Sequence, residues 1–465
     1  MKVEKIVVSY FNFISIEKLE INQAVGEHAA ALLRGSIQDE DVEKYRILLM
    51  EKIWVKIEAE DEGGEKRILM TGIIAGFSLE RLQHIYVLEL VLKSGTFLMD
   101  GRQHFRSFQD GNLTFLDVMK MVNSGYACET GIIAENSLNA GIDFLLQYSE
   151  TDWEFIKRIA SRFGIAVTPS VVQEGIFYYV GMPHYISHMV DGYTDSCSGK
   201  YIDHFMKCGA NGMGSLQEQD YVEYCVSTRK IFGLWDYLTA GEQRGHICRI
   251  HSEYSQGEMV HSYWLRSDQG LRVLQSFNES QQGCSFQAVV NAVMQDKVQI
   301  VLCGDENKKQ RINRWFPYST GYSSPDGAGW YCMPEIGDRV RLQIPDHREE
   351  SGYVISSVHM ETDGGRKIPD HKSFKTRFGK ELLFTPDSLE LTNNQGMCIK
   401  IVDGEGIQIM SDKDISIIAG GSMTISSEED SLIIAGTESV DVRQGGAGLH
   451  IDENIVFSGG KFRIQ

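Results

Sequence analysis

The chain has 465 residues, 42% of them hydrophobic, and its 64 Asp+Glu outnumber its 45 Lys+Arg to give a formal net charge of −19. This length predicts several domains with separate cores, and the charge argues against a surface for nucleic acid or anionic membrane. No stretch of about 18 uninterrupted apolar residues suggests a membrane-spanning helix, and the start MKVEKIVVSYFNF has no apolar signal region.

The cysteines give no sign of a metal or redox centre. Their number is odd, they are scattered, and none forms a C-x-x-C pair. We therefore expect reduced, mostly buried thiols. The nine positions are 128, 197, 208, 225, 248, 284, 303, 332 and 398.

The sequence of residues 1–283 predicts two β-rich regions separated by helices. Residues 1 to about 100 are short alternating or β-branched runs that suit a small barrel or sandwich, and residues from about 200 to 283 again look β-rich. Helices are predicted at about 112–123 and 151–163. In the second, Thr151 and Glu154 form a capping box, and Gly164 supplies the stop after the last turn.

Residues 284–372 predict a further β unit. About five strands with glycine turns in fewer than 100 residues fit a small closed barrel such as an OB-fold. The polar segment ETDGGRKIPDHKS, at 361–373, is the most linker-like part of the chain.

Residues 373–465 carry a repeat of about eight residues. In IQIMSDKDISIIAGGSMTISS, which starts at Ile407, apolar residues come in pairs separated by one residue, and successive pairs follow at steps of 8, 8, 9, 8 and 9. A spacing of two places both members of a pair on one face of a strand. The paired residues are Ile407, Ile409, Ile415, Ile417, Met423, Ile425, Leu432, Ile434, Val440, Val442, Leu449 and Ile451.

Three arrangements fit this repeat: an up-and-down meander, a single-chain β-solenoid, and a triangular β-helix (β-prism) of three identical chains. Longer strands and more aromatic residues are expected of a meander. A rung of about five residues has one narrow apolar face, so it cannot enclose a core alone and leaves open strand edges. Three chains around one axis solve both problems. We favour this trimeric prism, with the twelve paired residues packed at its axis.

The residues suggest no catalytic, cofactor or metal site. No H-E-x-x-H, G-x-S-x-G or Walker sequence is present. His246 and His251 lie five apart, which suits neither one face of a strand nor one turn of a helix, so they are read as structural histidines. Glu349 and Glu350 adjoin a predicted turn and would point to opposite faces, so a glycosidase pair is not expected. We predict that the protein is not an enzyme.

Two segments resemble the VgrG family of type VI secretion and the related hub and spike proteins of contractile phage tails and phage-tail-like particles. ETDWEFIKRIASRFGI, at 150–165, is similar to a family segment through Trp153, Phe155, Arg158 and Gly164. GWYCMPEIGDRVRLQIPD, at 329–346, is similar to the family's OB-fold strand pair. Its matching residues are Pro334, Gly337 and Asp338. In the strand that follows, Ser351 and Gly352 stand where the family often has proline.

The resemblance implies a homotrimer. Residues 1–283 would form a hub of two β-barrel-like subdomains per chain, and this pseudo-sixfold ring would adapt the spike to a six-subunit inner tube of Hcp-like protein. The OB-fold would act as a collar at 284–372, and the prism at 373–465 as a needle that punctures the target envelope.

The resemblance also implies the remaining partners. Baseplate components, a PAAR-like tip-capping protein and a separate effector are expected, nucleic acid is not, and the target membrane is met only transiently. The protein would be made in the bacterial cytoplasm, assembled into an injection particle, and delivered or released outside on contraction. His450 is solitary, so the tip lacks the H-x-H iron site of some family members. The alternative function is a tail-associated β-helical protein that binds or depolymerises polysaccharide.

Overall fold

The computed structural model describes residues 3–61, 65–200, 202, 205–207, 217–358, 368–461 and 463. The chain is mainly β with a few helices, as the sequence predicts. It forms two compact units, Met1–Met360 and Glu361–Gln465. The predicted domain boundaries at 283/284 and 372/373 stay predictions. Of the predicted linker at 361–373, residues 361–367 lie outside the described residues. Within the described ranges, no helix is long and apolar enough to span a membrane.

Within the described residues, the first unit begins with seventeen strands and three α-helices of eight or more residues. The helices are α1 Val42–Leu49, α2 Phe115–Asn123 and α3 Asp152–Ser161. The strands are β1 Val3–Val8, β2 Phe13–Ala24, β3 Ala30–Ile37, β4 Trp54–Asp61, β5 Lys66–Leu82, β6 Ile85–Lys93, β7 Gln103–Phe108, β8 Thr130–Ala134, β9 Leu145–Thr151, β10 Val167–Pro169, β11 Ile176–Val180, β12 Ser187–Met189, β13 Asp195–Lys200, β14 Val222–Thr228, β15 Tyr237–Ala240, β16 Gln243–Ser255 and β17 Glu258–Arg266.

The two β-rich regions join in one twelve-stranded sheet. Its main order is β1-β4-β5-β6-β3-β2-β16-β17-β14-β13, and β15 pairs with both β12 and β16. The connection is the antiparallel pairing of β2 with β16, from Leu19 opposite Tyr254 to Ala24 opposite Arg249. One buried cluster surrounds Leu33 in the first half and includes Met259 of β17, and another surrounds Tyr263 in the second half. The two predicted barrel-like regions therefore share one continuous hydrogen-bonded sheet.

The helices α2 and α3 pack in a third cluster between these regions. Their apolar faces cover β8, β10 and β11, and Val118, Ile156 and Ile159 are fully buried there. Both helices begin with a complete capping box, Thr114 with Asp117 and Thr151 with Glu154. The box at Thr151 confirms the prediction. The helix α1 was not predicted, since residues 1 to about 100 were read as strands; it buries only Val42, Tyr45 and Leu49.

A five-stranded, nearly closed barrel completes the first unit. Its order is β20-β19-β18-β21-β22. The two end strands meet through a parallel bridge between Tyr318 and Val354, where the Ser319 N–H donates to the Val354 carbonyl at 2.8 Å. This arrangement fits the small barrel predicted for the region. The strands are β18 Ser285–Met294, β19 Lys297–Leu302, β20 Phe316–Pro317, β21 Arg339–Gln343 and β22 Tyr353–Ile355.

The second unit contains two separate antiparallel sheets. Strands β23 to β27 form a five-stranded meander and β28 to β30 a three-stranded one. The described part of a single chain shows no β-prism, and residues 411–439 contain no strand, so the rungs predicted there are not formed. A lone rung leaves its backbone groups without partners. The strands are β23 Lys372–Lys375, β24 Glu381–Phe384, β25 Ser388–Thr392, β26 Cys398–Val402, β27 Gly406–Met410, β28 Val440–Gln444, β29 Ala447–Ile451 and β30 Ile455–Ser458.

The cysteines differ from the prediction in their burial. The eight that the structure describes are all free, as expected, but only Cys248 is buried. Cys197, Cys303 and Cys332 are exposed, and the others are half-buried. The expectation of mostly buried thiols is therefore wrong, because several cysteines lie on edge strands or loops rather than on inward faces. Cys208 lies outside the described residues.

Candidate assembly site

The helix α3 carries three of the residues that define the resemblance, Trp153, Phe155 and Arg158, and the fourth, Gly164, follows it. Trp153 and Phe155 are buried; the Trp153 ring lies 4.9 Å from the His28 ring, and the Phe155 ring stacks on Phe108 at 5.7 Å. Gly164 follows the helix at φ +69°, a left-handed conformation that side chains with a Cβ rarely adopt. It therefore ends α3 as the sequence predicts. The helix is fixed by local signals at both ends.

Arg158 lies at the centre of a buried ion network. Its guanidinium donates to both carboxylate oxygens of Glu150, at 2.6 and 2.9 Å, and to Glu349 Oε1 at 2.9 Å. A further bond reaches the Leu146 carbonyl at 2.8 Å. Glu349 also accepts from Arg162 at 2.7 Å. The network therefore joins α3 to the segment between β21 and β22 of the barrel.

The pKa values in this network reflect a balance between burial, which disfavours a charged group, and neighbouring opposite charges, which favour it. Burial alone would raise the pKa of Glu349, but the Arg158 and Arg162 guanidiniums outweigh it and hold the pKa below its usual value. Burial raises the pKa of Glu150 despite its pairing with Arg158. Burial opposes the charged form of Arg158, yet Glu349 and Glu150 raise its pKa. The charge on each of Glu150, Arg158 and Glu349 therefore influences the pKa values of the other two.

A second ionic group lies at the other end of α3. Asp152, the first residue of the helix, is buried and accepts from Arg106 at 2.7 Å and from the Tyr126 hydroxyl at 2.7 Å. Arg106 also donates to Glu306 at 3.3 Å, and His104 lies 2.9 Å from the same carboxylate. Glu306 follows β19 of the barrel, so both ends of α3 are connected ionically to it. We call these two networks the helix junction.

The barrel motif PEIGD forms a tight turn before β21. Asp338 Oδ2 accepts from the Glu335 N–H at 2.8 Å, and the Asp338 N–H donates to the Glu335 carbonyl at 3.0 Å. Gly337 has φ +95°, and its N–H donates to the Val290 carbonyl at 2.9 Å. Pro334 is buried at the start of the turn. The motif therefore aligns β21 with β18.

One face of the first C-terminal sheet is apolar. The register places Leu391, Ile399 and Ile409 opposite one another across β25, β26 and β27, and Ile401 likewise faces Ile407. No member of this face is buried, and Ile407 is 69% exposed. We call this set the apolar face; it consists of Leu382, Phe384, Leu389, Leu391, Ile399, Ile401, Ile407 and Ile409.

The opposite face of the same sheet is largely polar. Glu390, Lys400 and Gln408 lie in one row, with Lys400 Nζ 2.8 Å from Glu390 Oε1. The strands therefore present an apolar face and a largely polar face, as the spacing of two residues between paired apolar side chains predicts.

The second C-terminal sheet repeats this pattern. Val440 lies opposite Ile451 and Val442 opposite Leu449, so these four predicted axis residues share a face. The other six predicted axis residues fall in the strandless stretch and are exposed: Ile415, Ile417, Met423, Ile425, Leu432 and Ile434. Throughout the described part of the second unit, no residue is buried.

The two histidines singled out in the sequence have structural partners. His246 is buried, with Nδ1 2.7 Å from the Trp235 carbonyl and Nε2 2.8 Å from Asp268. His251 Nδ1 lies 2.8 Å from Asn22. Within the described ranges, no group of three or more His, Cys, Asp or Glu side chains is placed to hold a metal ion.

Sequence reasoning missed the partners of Arg158. Glu150 and Glu349 were not predicted as a pair, and the second lies 191 positions from the arginine. The only available signal was Glu349 itself, a carboxylate beside the strand pair that carries the barrel motif. Long-range ion pairs leave no periodic pattern, so the sequence could not join them.

Comparison with known proteins supports the resemblance. Residues 33–184 match the phage tail baseplate hub (GPD) family. This segment includes α3 and the strands β4, β5 and β6 of the twelve-stranded sheet, but not β1 and β2. No curated protein matches the sequence.

Solved structures share the fold at low sequence identity. The E. coli c3393 protein, described as a component of the type VI secretion system with structural similarity to the T4 bacteriophage tail proteins gp27 and gp5, gives a TM-score of 0.55 at 10% identity, covering 75% of this chain and 99% of that one. The Francisella PdpA-VgrG complex in its lidded form gives 0.57 at 9%, covering 85% and 76%. The chain thus has a segment, residues 33–184, that matches the phage tail baseplate hub (GPD) family, within a fold similar to those of the E. coli c3393 protein and the Francisella PdpA-VgrG complex.

Proposed function

We propose that this protein is a structural hub and spike component of a contractile injection apparatus, of the phage tail or type VI secretion kind. The observation that carries the proposal is the second unit, where an apolar face is fully formed but no described residue is buried. A single chain gains little hydrophobic stabilisation from such a unit, which cannot offset the entropy of ordering it. The unit therefore needs other chains to cover it.

Three copies of this chain supply that cover in the proposal. Around a common axis, the apolar face of each chain meets those of the other two, and strand edges pair between chains. Burying one exposed Ile or Leu contributes about 1.5–3 kcal/mol. The stretch 411–439 gains its backbone partners in the same step, which explains why it has no strands in one chain. The twelve predicted axis residues form the centre of this prism.

The remaining parts of the machine are proposed from the family resemblance. The twelve-stranded sheet serves as the hub that binds an Hcp-like inner tube, and the barrel serves as the collar. A three-chain ladder of main-chain hydrogen bonds around a dry axis has no independently flexible unit, so it transmits axial force into the target envelope. A PAAR-like tip protein and a separate effector complete the proposed particle, which acts outside the producing cell.

The two faces of β27 provide a matched test. Ile409→Asp places a carboxylate on the apolar face, while Gln408→Asp places one on the opposite face of the same strand. We expect size exclusion with light scattering to show a trimer of the 52.4 kDa chain for the unchanged protein and for Gln408→Asp. Ile409→Asp should not assemble, because three buried unpaired carboxylates are costly. A monomeric unchanged protein, or a normal trimer from Ile409→Asp, would refute the proposal.

A further inference from the structure

We propose that Cys197 and Cys225 are a redox modification site, which forms a cross-strand disulfide when the protein leaves a reducing environment. The pair occupies directly opposite positions in the antiparallel pairing of β13 with β14. Both cysteines are free in the reduced chain. The pairing itself does not depend on the proposed function; only the moment of oxidation, on exit from the cytoplasm, rests on it.

The backbone already has the geometry that a disulfide requires. Directly opposite residues of an antiparallel pair have Cα atoms about 4.5–5.5 Å apart. A disulfide takes Cα separations of about 4.4–6.8 Å. The two thiols also interact directly: burial is the main cause that raises the pKa of Cys225 to about 12, and the charge and hydrogen bonding of Cys197 raise it further. Bond formation therefore needs side-chain rotation and no rearrangement of the strands.

The two thiols differ in access, and this sets the order of reaction. Cys197 is exposed on the outermost strand of the sheet, whereas Cys225 is half-buried on the next strand inward. Cys225 lies opposite Trp264, over which the Arg249 guanidinium stacks at 4.1 Å from the ring centre. An external oxidant therefore meets Cys197 first. In the described strand pairings, no other cysteine lies opposite a second one.

The chemistry is ordinary thiol–disulfide exchange with a small disulfide such as oxidised glutathione. The Cys197 thiolate attacks one sulfur, breaks the S–S bond and releases one glutathione thiolate, which takes a proton from solvent. Cys225 then loses its proton to solvent, and its thiolate attacks the Cys197 sulfur, breaks the bond to glutathione and releases the second glutathione thiolate, which takes a proton from solvent. The two protein thiols are oxidised by two electrons, and one oxidised glutathione is reduced to two thiols.

The proposed disulfide holds the edge strand β13 to its neighbour β14. Among the described strands, β13 pairs on one side only, since it ends the strand order of the sheet. Edge strands open most easily and are the usual sites of unwanted pairing. A bond from Cys197 to Cys225 ties this strand to its neighbour and removes conformational freedom from the unfolded chain between them. The oxidised protein therefore has a more resistant hub edge than the reduced one.

Thiol counting on the full chain tests the site. The reduced chain has nine titratable thiols after denaturation. Equilibration of the folded protein in a buffer of oxidised and reduced glutathione, in which the reduced form removes mixed disulfides from the other exposed cysteines, followed by quenching at low pH, should lower the count by two to seven. Peptide mass spectrometry without reductant should show 197 joined to 225. Hydrogen exchange of the β13 amides should slow several-fold in the oxidised form.

Single-cysteine variants provide the controls. Cys197→Ser and Cys225→Ser each begin with eight thiols and should form no intramolecular disulfide. Cys303→Ser removes an exposed cysteine elsewhere and should still fall from eight to six. Nine free thiols in the oxidised unchanged protein, or a disulfide at other positions, would overturn the proposal. A monomeric protein that forms the 197–225 bond would refute the proposed function while leaving this site intact.

Discussion

Replacing Glu349 by alanine should destabilise the first unit much more than the same change at its neighbour Glu350. The Glu349 carboxylate is 1% exposed and accepts from Arg158 at 2.9 Å, from Arg162 at 2.7 Å and from Gln281 at 3.1 Å. The Glu350 carboxylate is 37% exposed and accepts from Arg162. The two variants thus differ in burial and in partners, while the deleted group is the same.

The expected losses of folding free energy for the two variants differ several-fold. Removing one partner of a buried pair costs about 3–5 kcal/mol, because the remaining charge stays buried with less compensation. Loss of a partly exposed pair costs about 0–1 kcal/mol. Against a total folding free energy of about 5–15 kcal/mol, only the first loss is severe. Glu150 still pairs with Arg158 after the change, so we expect the lower end of that range for Glu349→Ala.

Urea denaturation of the full chain, followed by tryptophan fluorescence at pH 7, measures the difference. Glu349→Ala should lower the transition midpoint by about 1 M, and Glu350→Ala by about 0.3 M or less. In a double-mutant cycle with Arg158→Leu, Glu349→Ala should show a coupling energy of at least about 1 kcal/mol. Equal midpoints for the two glutamate variants, or no coupling to Arg158, would refute the account of the helix junction.

Three further changes have defined outcomes. Ile417→Asp should abolish the trimer in light scattering, whereas Ser416→Asp should not; equal assembly of both would mean that Ile417 does not face the axis. Burial would raise the pKa of Glu306, but bonding to His104 and nearby charges lower that pKa to about 2. The ionised Glu306 therefore contributes its full stabilisation to the folded protein above the ordinary pKa of 4.5. This contribution is lost as the pH falls towards 2. Glu306→Gln should therefore destabilise the protein at pH 6 but not at pH 2 in thermal unfolding, and an equal loss at both pH values would contradict this. Thr151→Ala removes the cap of α3 and should cost about 1 kcal/mol in urea unfolding, with a loss below about 0.3 kcal/mol counting against the cap.

Local features of the fold could be predicted from the sequence. The cap at Thr151 and the stop at Gly164 are determined by bonds that close within one helical turn. The paired spacing of Ile407 and Ile409 likewise fixes which face of a strand they share, whichever chain lies opposite. The same is true of the residues of β28 and β29. These predictions succeeded because their physical causes lie within a few residues.

Only the tertiary structure decided the contacts between distant segments. The pairing of β2 with β16, the bond from Arg158 to Glu349 and the opposition of Cys197 to Cys225 each join residues that no local pattern relates. Their proximity depends on how the whole chain is routed. The sequence by itself determined which side chains of β27, β28 and β29 share an apolar face, because that depends only on a spacing of two residues; the structure added that no described residue of the second unit is buried, because burial depends on contacts that a local pattern does not encode.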